Sequence, residues 1–264
     1  MFHQPKSIRE ALDLKAELKE RAVFIAGGTD LVVLMNRGVK VADNFIDLSH
    51  VKELTAISKR NGTIELAGNV TYSQAGKLPI RCLAQASLSV GGPGIRELGT
   101  IAGNIATASP AGDGSTALLA LDAEVEFTSV RGVRKLPLEK VFVSYRKTAM
   151  APDEMITKVS VPANYKSDWL KNGKRGAVNI SVVAAAVAIT PKNEARIALA
   201  SVAPFPLRCR KAEQAFAKGG DARQVAEIVR TEIKPITDHR ASADYKTHLA
   251  GVMVRRLLES LCGH

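Results

Sequence analysis

Apolar positions recur along the chain with two periods, and the switches between them mark out its elements. Near the N-terminus Ile8, Ala11, Leu12 and Leu18 fall on one face of a helix, and no charged-then-apolar leader precedes them. A strand is expected over 22–26, then a turn and a second helix, then strands near 45–48 and 63–67. The segment ALLALDAEVEF, residues 117–127, passes from a short helical run to strict alternation that sets Ala123, Val125 and Phe127 on one face. Another strand pattern covers 155–161 and stops at Pro162. Short helices and strands in this mixed order predict an α/β or α+β first region.

Between Pro162 and Gly176 the sequence turns polar and basic (ANYKSDWLKNGKRG), which predicts an exposed connection and a domain boundary, placed here between 1–165 and 166–264. Beyond it ISVVAAAVAIT and ARIALASVA read as two strands joined by the turn Pro191-Lys192-Asn193, and the chain becomes helical from about Lys211. In the final run YKTHLAGVMVRRLLESL, Leu249, Val252, Met253, Leu257 and Leu258 have the spacing of a core-facing helix.

Composition narrows the possibilities. At 264 residues and 46% hydrophobic content the chain can bury one large core or two modest ones. No apolar run approaches the roughly 18 to 20 residues of a membrane span, so a cytoplasmic protein is expected. Cys82, Cys209 and Cys262 show no metal-ligand spacing, so any iron or similar metal belongs to another chain. The net charge of +11 suits an acidic partner, an anionic cofactor or nucleic acid. Against nucleic acid stand the even spread of basic residues, the 5% aromatic content and the lack of a recognition-helix or base-stacking signature.

Two glycine-containing stretches carry the candidate chemistry. The first, VFIAGGTDLVVLMNRG at 23–38, runs from an apolar strand through Gly27 and Gly28 to Thr29 and Asp30 at a helix start, where either can serve as the cap. Glycines let backbone N–H groups approach an anion such as a pyrophosphate; they equally suit a tight strand-to-helix turn. The second, residues 91–124, holds seven glycines and two prolines and reads as a long functional loop. There Gly99, Thr100, Ala102, Gly103 and Asn104 are candidate phosphate donors, and Asp113 either accepts from ligand hydroxyls or caps a helix at 115–121. Neither stretch is GxGxxG, and no acidic residue follows at dinucleotide-fold spacing; no Walker loop, GxSxG or HExxH occurs. Residue spacing alone indicates an extended phosphorylated ligand bound between the two stretches.

AGGTDLVVLM at 26–35 together with LGTIAGNIATASPAGDGSTALLALDAEVE at 98–126 resembles the flavoprotein subunit of the xanthine dehydrogenase and carbon monoxide dehydrogenase families. The likeness continues through PDEMITKVSVP at 152–162 and KNGKRGAVNISVVAAAVAI at 171–189 to the ASADYKTHLAGVMVRRLL helix. The resemblance implies an α+β fold, with a two-subdomain FAD-binding domain of the p-cresol methylhydroxylase type followed by a small domain of antiparallel sheet and helices. It implies FAD as cofactor, with Ile25, Ala26, Gly27, Gly28, Thr29 and Asp30 around the pyrophosphate and Thr100, Ile101, Ala102, Gly103 and Asn104 on the phosphate and flavin side. It also implies Asp113 at the hydroxyl-bearing part of the cofactor, Ile156 near the ring and Lys171 beside it, although Lys171 and Arg175 also read as solvated connection charges. An iron–sulfur subunit with two [2Fe–2S] clusters and a molybdenum-cofactor subunit are implied as partners, with NAD or another acceptor taking the electrons and no general acid, base or nucleophile here.

Two positions depart from the family pattern: Ala102 stands where a glycine is frequent, and Asn179 where an aspartate is common. The alternatives to this reading are a stand-alone flavin-binding module and a basic nucleic-acid-binding protein.

Overall fold

The structure, a computed structural model, describes residues 1–39 and 42–263. The chain opens with β1 (Phe2–His3), α1 (Ile8–Leu18), β2 (Ala22–Ile25), α2 (Leu31–Asn36) and β3 (Asn44–Asp47), and the three strands form a parallel sheet in the order β1-β3-β2. Ser7 caps α1 by accepting from the Glu10 N–H at 3.1 Å, and the predicted face is realised as buried Ala11 and Leu12 packed beside Ile46 and Leu48. Lys15 is buried on the same helix and donates to the carbonyls of Lys19 and Ala22, so its ammonium closes the helix end.

A second sheet is antiparallel. It draws on β4 (Ile57–Arg60) and β5 (Thr63–Ala67), then, after a helical layer, on β6 (Glu124–Ser129) and β7 (Gly132–Pro137). The short hairpin β8 (Phe142–Ser144) and β9 (Lys147–Thr148) stands apart, and β10 (Met155–Pro162) completes the order β4-β5-β10-β6-β7. The alternation read at 123–127 holds: Val125 and Phe127 point into the core while Glu124 and Glu126 are partly exposed. The helical layer consists of α3 (Tyr72–Ala75), α4 (Arg81–Leu88), α5 (Pro93–Leu98), α6 (Ile101–Thr107) and α7 (Asp113–Ala120). All residues of α7 are buried, as befits a helix enclosed on every side.

The stretch 91–124, expected to be a long loop, is therefore three short helices joined by tight turns. Small residues there serve close packing of helices; Ile101, Ile105, Leu118 and Leu119 supply the apolar anchors. The polar stretch after Pro162 is likewise corrected. It contains β11 (Lys166–Asn172), which pairs along its length with β12 (Val183–Ile189), from Lys166 opposite Ile189 to Asn172 opposite Val183. Its polarity misled because the strand lies at a sheet edge and buries Ser167, Asp168 and Trp169 against α4, where Arg81 Nε meets Asp168 at 3.0 Å and Ser167 accepts from the Cys82 N–H.

β13 (Ala195–Ala200) and β14 (Leu207–Arg208) complete the third sheet, antiparallel in the order β11-β12-β13-β14, and α8 (Arg210–Ala217), α9 (Ala222–Glu232) and α10 (Ala243–Cys262) cover it. Successive residues of β12 point to opposite faces, and both faces are buried. Ala184, Ala186 and Ala188, with Ala198 and Ala200 of β13, pack into the core shared with α4 and α7. Val183, Val187, Ile197 and Leu199 face Val225, Val229, Val254 and Leu257 of α9 and α10. None of the described helices is long and apolar enough to cross a membrane.

An ionic bolt joins β14 to the segment after α7. The Arg208 side chain, 2% exposed, donates to Asp122 Oδ1 at 2.7 Å, to Glu213 Oε1 at 2.5 Å and to the Leu119 carbonyl at 3.0 Å. Removal of one partner strands buried charge. Arg208→Met is expected to lower unfolding free energy by about 3 to 5 kcal/mol in urea denaturation, and Arg208→Met with Glu213→Gln should recover part of that loss; equal stability in all three proteins would show that the bolt contributes nothing.

Candidate functional site

The first glycine turn follows directly from β2. Ile25 ends the strand and is buried; Ala26, Gly27, Gly28, Thr29 and Asp30 are partly exposed. Gly28 has φ +67°, which L-residues with a Cβ rarely adopt. Gly27 has a different role: a Cβ there would overlap the Leu98 carbonyl, so its missing side chain lets the first turn rest against the end of α5. Both glycines thus serve the geometry of the turn itself, one of the two roles that the sequence allowed for the pair. The opening lies in the backbone itself. Among the described residues no hydrogen bond takes up the N–H of Gly27, Gly28, Thr29 or Asp30, which leaves a run of free donors of the kind that cradles anionic oxygens.

Neither Thr29 nor Asp30 caps α2 through its side chain. The Asp30 carboxylate instead lies 3.5 Å from Thr107 Oγ1 and 3.5 Å from Arg146 Nη1, across the turn from α6 and the β8–β9 hairpin. Thr29 approaches the second stretch as well: a Cβ on Gly99 would lie 3.3 Å from Thr29 Oγ1 and 3.2 Å from the Tyr72 ring. The two glycine-containing stretches are thus brought side by side.

The second stretch differs from its expected role. Thr100 spends its hydroxyl capping α6, accepting from the Gly103 N–H at 2.9 Å. The N–H of Gly99 goes to Ile95, that of Ile101 to Val70 and that of Asn104 to Thr100. Of Gly99 to Asn104, the N–H groups of Thr100 and Ala102 are left without an intrachain acceptor among the described residues. The Asn104 side-chain oxygen Oδ1 accepts from both the N–H and the hydroxyl of Ser115, tying α6 to the first turn of α7. Ile101 is core, and Ala102 accommodates its Cβ in the same core, which accounts for the first departure from the family pattern. At the second, Asn179 donates to the Arg175 carbonyl and stays at the surface turn.

Asp113 is the first residue of α7, with Gly112 as the cap and no side-chain capping bond, so the capping alternative is excluded. Its carboxylate is buried and meets Lys171 Nζ at 2.6 Å; Lys171 also donates to the Ser89 carbonyl at 3.1 Å. Lys171, on β11 with 11% of its side chain exposed, is no solvated connection charge, whereas Arg175 is exposed and caps only the Val178 carbonyl. The second carboxylate oxygen, Asp113 Oδ1, is buried without a hydrogen-bond partner. Burial outweighs the nearby ammonium and raises the Asp113 carboxyl from 3.8 to about 6. Because the folded value is raised, this group favours folding most when protonated; that contribution is complete below about 3.8 and is lost as pH rises through about 6.

Sequence reasoning missed Tyr72, which is buried next to Gly114 and Gly99 and whose hydroxyl is pushed well above its usual range by burial and by the Asp113 charge. The sequence did hold one indirect signal, the Thr71-to-Gln74 capping box that starts its helix. It also missed the Leu98 and Ser89 carbonyls, since backbone groups leave no mark in a sequence. Ile156 lies in β10, buried and opposite Phe127 of β6. Among the described residues no group of three or more His, Cys, Asp or Glu side chains could hold a metal ion.

Residues 1–164 match the family described as the FAD binding domain in molybdopterin dehydrogenase, and residues 169–261 match the CO dehydrogenase flavoprotein C-terminal domain. The chain is 35% identical over 230 residues to the nicotinate dehydrogenase FAD-subunit of Eubacterium barkeri, covering 81% of this chain and 78% of the relative. It is 31% identical to the carbon monoxide dehydrogenase medium chain of Afipia carboxidovorans over 98% of this chain and 95% of that one. A solved structure of carbon monoxide dehydrogenase from Hydrogenophaga pseudoflava superposes with a TM-score of 0.92 at 29% identity, covering 99% of this chain and 96% of the other.

The two glycines of the first turn should respond differently to the same small change. Gly28→Ala places a Cβ at positive φ and is expected to cost about 1 to 2 kcal/mol in chemical denaturation, while Gly27→Ala drives a Cβ into the Leu98 carbonyl and should cost clearly more. A Gly27→Ala protein as stable as Gly28→Ala would overturn the assigned roles.

Proposed function

The chain belongs to the family of FAD-binding subunits of molybdenum hydroxylases, and on that premise we propose that it is the electron-transfer subunit of such a complex. In this reading it receives electrons from a partner subunit carrying [2Fe–2S] clusters, a third subunit holds the molybdenum cofactor and oxidises the organic substrate, and NAD or another acceptor takes the electrons. The observation that carries the proposal is the run of free N–H donors at Gly27 to Asp30 in the same domain as a buried carboxylate, Asp113, with one oxygen unpartnered.

The residues present suit FAD. An unpaired buried acceptor such as Asp113 Oδ1 costs roughly 1 to 3 kcal/mol unless a donor reaches it, and the hydroxyls of a ribityl chain are donors of that kind. The N–H groups of Gly27, Gly28, Thr29 and Asp30 would hold the pyrophosphate, the first turn resting on Leu98 and Gly99 just ahead of Thr100, Ile101, Ala102, Gly103 and Asn104, which would lie on the phosphate and flavin side. Within that stretch Thr100 and Ala102 have free N–H groups, and Asn104 keeps α7 and hence Asp113 in place. Ile25, Ala26 and Ile156 would contribute apolar contact. Lys171 supplies positive charge from the second domain, which favours negative charge on a bound ring. FAD, when bound, supplies the redox chemistry. The proposal divides the chain into 1–165 and 166–264, so that Lys171 reaches across the division to Asp113.

Visible absorption of the purified chain with identification of the released chromophore tests the cofactor, and copurified iron and molybdenum test the partners. Flavin bands from FAD are expected; a colourless chain that fails to take up added FAD overturns the reading. FAD affinity should also fall as pH drops through about 6, since protonated Asp113 accepts less well, by up to roughly tenfold per pH unit. Asp113→Asn should bind FAD more weakly at pH 8 and lose this pH dependence; a variant that keeps the parental profile removes Asp113 from the site.

A further inference from the structure

A cavity of about 570 Å³ lies between α9 and α10, in the helical layer on the face of β12 opposite α7. It is not part of the flavin site. Arg223 and Arg230 face it from α9, seven residues apart and so on one helix face, and His248, Arg255 and Arg256 face it from α10. Their charge is poorly matched. Glu227 pairs with Arg230 Nη1 at 2.6 Å, and Glu259 lies 3.6 Å from Arg255 Nε, beyond a good hydrogen bond. Among the described residues no carboxylate comes within salt-bridge reach of Arg223 or Arg256.

Two of these guanidiniums also keep one N–H without an acceptor. Arg230 Nε and Arg255 Nε are both buried and make no hydrogen bond among the described residues, a state that costs free energy unless an acceptor is supplied. The Arg230 side chain reaches this position because α10 has a glycine beneath it: a Cβ on Gly251 would lie 2.5 Å from Arg230 Nε. Four guanidiniums around a concavity of the size that holds small ligands suit a ligand rich in anionic oxygens, which the planar guanidinium contacts through two N–H groups at once.

We propose that the α9–α10 cavity is a binding site for an oligophosphate group, such as that of a nucleotide, separate from the flavin. The half-open concavity, with four guanidiniums and one carboxylate among its lining residues, favours a small polyanion by its charge.

The test is isothermal titration of the FAD-loaded full chain with inorganic pyrophosphate at low ionic strength, so that the cofactor occupies the first glycine turn. Saturable one-to-one binding is expected, weakened at least about tenfold in Arg230→Gln/Arg255→Gln with flavin absorbance unchanged. Glu227→Gln removes the one carboxylate in the cavity and should tighten binding, a gain that misfolding cannot imitate. Lys218→Gln, an exposed charge outside the cavity, should leave affinity as it is. No saturable binding, an equal loss in Lys218→Gln, or parental affinity in the double variant overturns the proposal. So does a chain that ignores pyrophosphate but loses its partner subunits in the double variant, since that outcome makes the cavity a protein interface. If the chain takes up no FAD, the same variants still separate this cavity from the glycine turn.

Discussion

Close approach of α7 to the alanine face of β12 and β13 is the constraint on which the rest depends. Ala184, Ala186, Ala188, Ala198 and Ala200 present a surface with no side chain longer than a methyl group, and α7 packs into the same core with Ala117 and Ala120, while its Gly114 and Ser115 turn towards Tyr72 and Asn104. Larger residues on that face would hold the helix away, because interiors are packed to crystal-like density and do not yield by more than a fraction of a methyl group. The approach sets Asp113 at the start of α7 within 2.6 Å of Lys171, which lies opposite Ala184 on the neighbouring strand. The ion pair is a consequence of the packing and in turn fixes the direction of the carboxylate.

The same alternation explains how one sheet serves two halves of the molecule. With period two, the alanines face the flavin-binding half and the branched residues face α9 and α10. The segment after Pro162 is therefore not an exposed linker but part of a shared, buried core, reinforced by Arg208 between Asp122 and Glu213. Lys171 comes from one side of that interface and Asp113 from the other, so the arrangement around the proposed flavin hydroxyls depends on both halves being docked.

The two glycine-containing stretches divide their tasks. The first leaves its N–H groups open and holds its shape through the positive φ of Gly28 and the contact of Gly27 with Leu98. The second closes most of its own hydrogen bonds within α5 and α6 and acts as a rigid wall. Similar glycine content hides opposite roles, because a glycine is selected equally by a backbone angle, by a neighbouring backbone and by a ligand.

The sequence by itself determined the periodic elements: α1, the alternation of β6, the strands β12 and β13 and the long α10 follow from the spacing of apolar residues. Its paired motifs also carried the family and its cofactor, and Gly27, Gly28, Asp113 and Lys171 were legible as candidates. Only the tertiary structure decided what those residues touch. It showed Asp113 as a buried pair with Lys171 and not a cap, 91–124 as packed helices and not a loop, and β11 as a strand and not a linker. The reason is physical: short helices and edge strands are stabilised by contacts distant in sequence, and whether a glycine, a carboxylate or an N–H is free or engaged depends on neighbours, such as Leu98, Ser89 and Ser115, that local pattern does not identify.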